Sequence, residues 1–329
     1  MKTIICTAYG DADILQMQER DRPTITADGY LVRVHATSAT TADWRIRSLS
    51  LPIGFGFLGR LLFGLFKPRN PILGTELAGT IVERGEHATA FAIGDAVIVQ
   101  CGASMGAYAE YRIVTDSDCI IRKPDGLSFE EAAVLSFGAS TAWAYLMEKA
   151  MIKSGQSILI YGASGSVGSA AVQIAKAVGA TVTAICSSAN QDLMTEIGAD
   201  HVIDYQSENF LENGQQYDVI FDAVGTLSYL ACRKSLHSHG QLLLVSANLI
   251  QMLQALLASC FGQQRVVIGV VKESRERLAS ILHLVEQKQY RVLIDQIFPM
   301  ECTSMAHRYI EKRHRKGNVA IQLVNADAR

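Results

Sequence analysis

The sequence predicts an α/β protein of two parts, a doubly wound parallel sheet and a β-rich domain, and three observations carry that expectation. First, Ser157 to Lys176 reads S-I-L-I-Y-G-A-S-G-S-V-G-S-A-A-V-Q-I-A-K, a strand-length apolar run, three glycines, then apolar residues at helical spacing. Second, from Ser128 onward strand-like and helix-like segments alternate, as they do in a parallel sheet covered by helices. Third, residues 1 to about 125 hold short β-type runs broken by Gly, Asp and Pro.

Taken in order, the first part has strands at Tyr30–His35, Leu77–Glu83, Ala96–Gln100 and Tyr108–Val114. A helix at Glu130–Met147 leads to Ser157–Tyr161, the first strand of the parallel sheet, followed by a helix at Ala170–Val178, a strand at Thr181–Cys186 and a helix at Asn190–Ile197. Val202–Ile203, Val219–Phe221 and Leu242–Val245 are further strands, with a helix at Leu227–Leu236. An apolar helix at Leu249–Cys260 precedes a strand at Arg265–Val271. The tail reads as helix Glu273–Gln287, strand, helix and a final strand at Ala320–Val324, and is expected to return to the first part. The division is therefore 1–125 with 272–329, and 126–271.

The glycine turn is a dinucleotide fingerprint because strand and helix flank it. Gly162 permits the tight turn, Gly165 lets backbone approach a pyrophosphate, and Gly168 lets the helix pack on the strand. The spacing is G-x-x-G-x-x-G, with Ala163 at the second place; Ser164, Ser166 and Val167 complete a loop whose helix N-terminus favours phosphate. An NAD site places a carboxylate at the end of the second strand. Here Thr181–Cys186 is followed by Ser187, Ser188, Ala189 and Asn190, so hydroxyls rather than a repelling carboxylate await a 2′-phosphate, and NADPH is expected in preference to NADH. Val224, Gly225, Ser246, Ala247 and Val270 (with Gly269) lie within or just past successive strands and should line the cofactor trough, because ligands bind outside the carboxyl ends of parallel strands.

The 329 residues are 49% hydrophobic and carry 30 basic and 32 acidic side chains, read as spread along the chain, for a net charge of −2. That overall balance argues against nucleic-acid binding and gives no reason to expect an anionic membrane as partner. Seven dispersed cysteines without a C-x-x-C pair suit a reducing, cytoplasmic setting, and the N-terminus does not resemble a signal peptide. Phe55 to Phe66, F-G-F-L-G-R-L-L-F-G-L-F, is too short to span a membrane and is either a surface-lying, lid-like helix or an insertion packed on its own domain. His237 and His239 read as a solvated helix end rather than a metal site, since no third ligand is near. The apolar strands Gln241–Val245 and Val266–Val271, expected near the sheet edge, predict a homodimer that covers them.

Motifs along nearly the whole chain resemble the medium-chain dehydrogenase/reductase superfamily: G-T-E-L-A-G (Gly74–Gly79), F-A-I-G-D-A-V (Phe91–Val97), G-A-Y-A-E-Y (Gly106–Tyr111), S-T-A-W (Ser140–Trp143), I-G-A-D-H-V-I-D-Y (Ile197–Tyr205) and D-A-V-G (Asp222–Gly225). The resemblance implies a Rossmann domain joined to a GroES-like catalytic domain. Aligned on these motifs, the catalytic zinc ligands of the superfamily's alcohol dehydrogenases fall on Thr40, Thr75 and Phe137, none of which binds zinc, and the four-cysteine structural lobe is absent. No metal is therefore expected, and the chain is similar to the zinc-free quinone oxidoreductases and enone reductases, the zeta-crystallin-like branch. A-T-S-A-T-T-A-D-W (Ala36–Trp44) matches that branch's A-x-x-x-N-x-x-D element, with Asp43 kept and Thr40 in place of Asn. The same likeness assigns Tyr205 to the 2′-phosphate and Thr141 to the nicotinamide, and puts Asn318, in H-R-K-G-N-V, where a cofactor-reaching Lys is common.

The implied function is hydride transfer from NADPH to a small hydrophobic quinone or α,β-unsaturated carbonyl, whose conjugation spreads the incoming charge. Thr40 is the first candidate donor to the developing oxyanion and Tyr108 the second. Asp43, taken as an ordinary carboxyl ionised at neutral pH, is expected to orient the loop, with water as the final proton source. The alternative is an NADPH-binding redox sensor or scaffold with little catalysis.

Overall fold

A computed structural model of the chain describes residues 1–261, 263–312 and 315–323. The alternating segments form a six-stranded, all-parallel sheet in the order His201–Asp204, Thr181–Cys186, Ser157–Tyr161, Tyr217–Asp222, Leu236–Leu244 and Arg265–Val267. Ser157–Tyr161 lies inside this sheet with Ile158, Leu159 and Ile160 inaccessible to solvent, as expected of strands covered on both faces. The order reverses beside it, so the glycine turn opens at the switch point between Tyr161 and its neighbours Ile185 and Asp222.

The second sheet has seven strands. Its path runs Ile294–Pro299, Asn318–Gln322, Gly29–Ser38, Glu76–Arg84, Ala96–Gln100 and Cys119–Arg122, with Tyr111–Thr115 also paired to Gly29–Ser38. The tail pairs there directly, Ala320 opposite Ser38 and Ile321 opposite Thr37. A small hairpin of Lys2–Cys6 with Leu15–Glu19 completes the sheets. The largest core cluster runs from Ala36, Ala78 and Ile98 through Leu135, Ala139 and Tyr145 to Ile158, Ala171 and Phe221, so the two sheets share packed side chains rather than a hinge alone.

Several elements differ from expectation for visible reasons. The helix expected at Glu130–Met147 breaks at Val134 into Phe129–Ala133 and Leu135–Trp143, then widens into a π-turn over Ala144–Lys149. The break releases the Phe137 N–H and Ser136 hydroxyl, which both donate to Glu76. Leu227–Leu236 yields only a four-residue helix, Tyr229–Cys232, because the chain re-enters the sheet at Leu236. His237 and His239 therefore stand exposed on a strand, not at a helix end. The edge strand stops at Val267, four residues earlier than expected, where the chain turns into Gly269 at φ 143°. Thr41–Ser48 is a helix the periodicity did not show, and Gly56–Phe63 is a surface-lying helix. Val324 and His314 lie outside the described residues, as do the side chains of Cys260 and its neighbours. No helix among the described residues is long and apolar enough to cross a membrane.

Candidate functional site

At the glycine turn each residue type meets a geometric demand. Gly162 has φ 78°, a left-handed conformation, and a Cβ there would sit 2.4 Å from Val224 Cγ2. A Cβ on Gly168 would sit 2.1 Å from the Gly162 carbonyl, so only glycine lets the helix Ser166–Val178 lie this close to its strand. Gly165 differs: its nearest neighbour would be 3.7 Å away, leaving open space before a helix whose N-cap offers no side-chain partner. The first N–H groups of this helix, with no side-chain cap, fit a pyrophosphate. The turn is already fixed. Gly317 N–H donates to the Ser164 carbonyl at 2.7 Å, and Ser166 Oγ donates to Asn318 Oδ1.

Asp222, buried at the end of its strand, accepts N–H bonds from Val224, Gly225 and Leu227, each at 2.8 Å, holding the 224–227 loop over the glycine turn. A Cβ on Gly225 would lie 2.9 Å from the Ser246 carbonyl, so Val224, Gly225 and Ser246 lie together, with Ala247 beside them in the chain. Ser187, Ser188 and Tyr205 also gather: Tyr205 N–H donates to the Cys186 carbonyl at 3.2 Å, and Asn190 Nδ2 donates to Ser187 Oγ at 3.3 Å. Asn190 Oδ1 is buried without a partner. Val270 is 90% exposed beyond the end of its strand.

Two buried carboxylates organise the facing side. Thr40 caps Thr41–Ser48 in a reciprocal box: Asp43 N–H donates to Thr40 Oγ1 at 3.2 Å, and Thr40 N–H donates to Asp43 Oδ2 at 3.0 Å. The Thr40 hydroxyl donates to the same carboxylate at 2.6 Å and lies 3.3 Å from the Thr75 hydroxyl. Gly74 N–H donates to Asp43 Oδ1 at 3.1 Å. Burial outweighs these bonds and pushes Asp43 up to about 6. This corrects the expectation of an ordinary carboxyl. Glu76, which the motif reading quoted but did not single out, accepts from Ser38 Oγ, Ser136 Oγ and Phe137 N–H, each at 2.6 Å, and burial pushes it up to about 7. A carboxylate at the head of the apolar run Leu77–Val82 was the signal that could have found it.

Three expected roles change. Tyr108 is a core side chain, not a cleft-facing donor: its hydroxyl donates to the Ser38 carbonyl at 3.2 Å and meets His307 Nε2 at 2.9 Å. Because Arg47 Nε–H donates to His307 Nδ1, Nε2 carries the imidazole proton, and burial holds His307 neutral by lowering it to about 3. Asn318 does not extend toward a cofactor. Its Nδ2 donates to the Leu293 carbonyl at 3.0 Å and its oxygen holds Ser166, so it secures the turn instead. Thr141 donates to the Phe137 carbonyl at 2.8 Å, leaving only its oxygen lone pairs and methyl to face a ligand. Two cations that sequence reasoning missed border the site: Arg45 Nη1 donates to Ser246 Oγ at 2.9 Å across the two halves, and Arg315 Nη2 to Thr41 Oγ1 at 2.7 Å within the first half.

Residues 26–125 match the model described as "Alcohol dehydrogenase GroES-like domain", and 197–321 the one described as "Zinc-binding dehydrogenase". The chain is 30% identical to "Quinone-oxidoreductase homolog, chloroplastic" of Spinacia oleracea over 98% of both chains. It is 34% identical to "2-methylene-furan-3-one reductase" of Solanum lycopersicum over 68% of this chain and 57% of that one. Among solved structures, the quinone oxidoreductase from Coxiella burnetii superposes with a TM-score of 0.86 at 27% identity, covering 98% of this chain and 99% of the other.

Proposed function

Since the chain belongs to the quinone-oxidoreductase-like branch of the medium-chain dehydrogenase/reductase superfamily, we propose that this oxidoreductase reduces a quinone or α,β-unsaturated carbonyl with NADPH and without zinc. The observation that carries the proposal is the pairing of an open glycine cradle with a buried hydroxyl–carboxyl couple and no zinc-type donor set. Thr40, Thr75 and Phe137, at the positions aligned with the zinc ligands, offer two hydroxyls and a phenyl ring, and both hydroxyls are turned to Asp43. Such a set does not fit zinc, which takes thiolate, imidazole or carboxylate.

The cofactor fits the other side. The N–H groups beside Gly165 would hold the pyrophosphate, while Ser187, Ser188 and Tyr205 would receive the 2′-phosphate with no carboxylate at residues 187–190 to repel it. Val224, Gly225, Ser246, Ala247 and Val270 would line the trough, with Thr141 beside the nicotinamide. Bound there, the reduced nicotinamide supplies a hydride to the conjugated acceptor. Thr40 would donate to the oxyanion as the neutral Asp43 carboxyl returns a proton to the Thr40 oxygen, so one proton moves from Asp43 to product. Solvent then reprotonates Asp43. We assign the domains as 1–125 with 272–329 and 126–271, and the assembly as a homodimer paired through the Arg265–Val267 edge in a reducing compartment such as the cytoplasm. The free state of Cys6, Cys101, Cys119, Cys186, Cys232 and Cys302 supports that setting.

The test is a turnover assay comparing NADPH with NADH over 1,4-benzoquinone, naphthoquinone and simple enones, on protein whose zinc content has been measured. NADPH-dependent turnover by zinc-free protein is expected. Tight NADPH binding with no turnover on any acceptor would replace the enzyme reading with a sensor, and stoichiometric zinc at Thr40 and Thr75 would overturn the metal-free chemistry. A monomeric mass at micromolar concentration would refute the dimer.

A further inference from the structure

The first turns of the helix Leu249–Phe261 are inside out. Leu249, Ile250, Leu253 and Leu256, at helical spacing, are 47%, 60%, 61% and 63% exposed. Gln251 on the opposite side is only 5% exposed, and its amide donates to the Leu227 and Gly225 carbonyls. Gln254 accepts from Tyr229 N–H. A helix of a water-surrounded domain presents the reverse pattern. Beside it lies a second exposed apolar helix, Gly56–Phe63, with Phe57 75%, Leu62 60% and, just beyond, Phe66 81% exposed. The two segments touch, since Leu249 N–H donates to the Ile53 carbonyl and a Cβ at Gly54 would meet Leu249 Cδ1 at 2.2 Å. Two halves of the molecule thus contribute to one continuous apolar face, larger than scattered surface residues produce.

Charge identifies what the face meets. Between Asp43 and Glu76, and again between Asp222 and Glu273, the sequence contains no carboxylate, although a uniform spread of the chain's 32 acids would put about eight there. The charged residues in those two stretches are Arg45, Arg47, Arg60, Lys67, Arg69, Arg233, Lys234, Arg265 and Lys272, all cationic; Arg47 is buried and paired with Glu311, and Arg45 donates to Ser246, so neither of these two borders the face. Arg60, Lys67 and Arg69 are exposed at the apolar helix and form no ion pair among the described residues; Arg60 and Arg69 instead donate to the Leu65 and Leu61 carbonyls at its end. The net charge of −2 conceals this segregation. An apolar face with a cationic border matches an anionic lipid surface, with the apolar side chains entering the headgroup boundary and the cations meeting the phosphates. A second copy placed across the same face would set cations against cations.

We propose that the face formed by Ile53–Phe66 and Leu249–Leu256 docks the protein reversibly on an anionic bilayer surface. The test is co-sedimentation of the full chain with vesicles of phosphatidylcholine alone and of phosphatidylcholine with about one third phosphatidylglycerol. Binding to the anionic vesicles, lost at high salt and weak on neutral ones, is expected. Lys67→Glu should weaken it at least about fivefold, and Leu253→Glu or Phe66→Glu about tenfold. Circular dichroism and melting of each variant, measured alongside, should match the parent; should Leu253→Glu misfold, Phe66→Glu and Lys67→Glu decide the outcome. Absence of binding to anionic vesicles overturns the proposal, and so does equal binding to neutral ones. Dimerisation that Leu253→Glu abolishes, without vesicle binding, would assign the face to a second copy and also overturn it.

Discussion

Replacing Thr40 with Val keeps the side chain's shape and removes its oxygen. Three bonds are lost: the one accepted from Asp43 N–H at 3.2 Å, the one donated to Asp43 Oδ2 at 2.6 Å and the longer one shared with the Thr75 hydroxyl at 3.3 Å. The first is an N-cap bond, about 1 kcal/mol, and the second a charge-assisted bond of about 1–2 kcal/mol. Together they lower the melting temperature by about 2–5 °C, small enough that the variant is folded at assay temperature. The kinetic effect should be larger. Loss of one oxyanion donor costs about 10²–10³ in turnover in acyl transfer; a conjugated acceptor depends on it less, so we expect a fall of about 10–100-fold with NADPH affinity unchanged. Because burial raises Asp43 to about 6 and its acid form is the donor, wild-type turnover should decline as pH rises through that value. Thr40→Val should lose this limb, and Thr40→Ser should keep it. Steady-state kinetics across pH 5–8 with a water-soluble quinone, paired with NADPH fluorescence titration, reads all three quantities. Wild-type turnover in Thr40→Val, or equal losses in Thr40→Ser and Thr40→Val, would remove the hydroxyl from the mechanism.

Three further outcomes follow from the geometry. Gly165→Ala should melt like the wild type yet bind NADPH at least about tenfold more weakly, whereas Gly168→Ala, whose Cβ would meet the Gly162 carbonyl at 2.1 Å, should lose stability as well; titration and melting curves separate the two. Glu76 has its folded pKa raised, so its contribution to stability is fullest at acid pH and is lost as pH rises through about 7; relative to Glu76→Gln, the wild type should therefore be more stable at pH 5 than at pH 8.5 in urea denaturation. Tyr108→Phe leaves the Ser38 carbonyl and His307 Nε2 without their partner and should destabilise by about 1–3 kcal/mol while turnover stays within twofold, measured by the same melting and kinetic assays.

Local chemistry made the glycine turn legible from sequence, because the left-handed φ of Gly162 and the approach of Gly168 to the Gly162 carbonyl are demands within a few residues; the close approach of Gly162 to Val224 was not legible. The same holds for Ser157–Tyr161 and Thr181–Cys186, both found at their observed bounds. Long-range polar contacts were not legible. Tyr108 meets His307, 199 positions away, and Glu76 meets Ser136 across 60 positions; neither pairing leaves a periodic trace. Asp43 has an ordinary sequence neighbourhood, and only burial under Gly74 and Thr75 changes its acidity. The helix at Glu130–Met147 was correct in composition, but its break answers Glu76 on another element. Charge was read as spread along the chain, and the acid-free stretches 44–75 and 223–272 overturn that reading.

The clasp between the tail and the glycine turn has a mechanical consequence. Gly317 and Asn318 belong to the chain that feeds the seven-stranded sheet, yet they grip Ser164 and Ser166 of the parallel-sheet half. A stitch at this place means the halves cannot part beside the phosphate cradle. Any gaping would swing about it and open farther out, where the Arg45 bond to Ser246 and the Leu249 N–H bond to the Ile53 carbonyl can exchange with water. The cradle thus meets its ligand already shaped, and little ordering entropy remains to be lost there on binding.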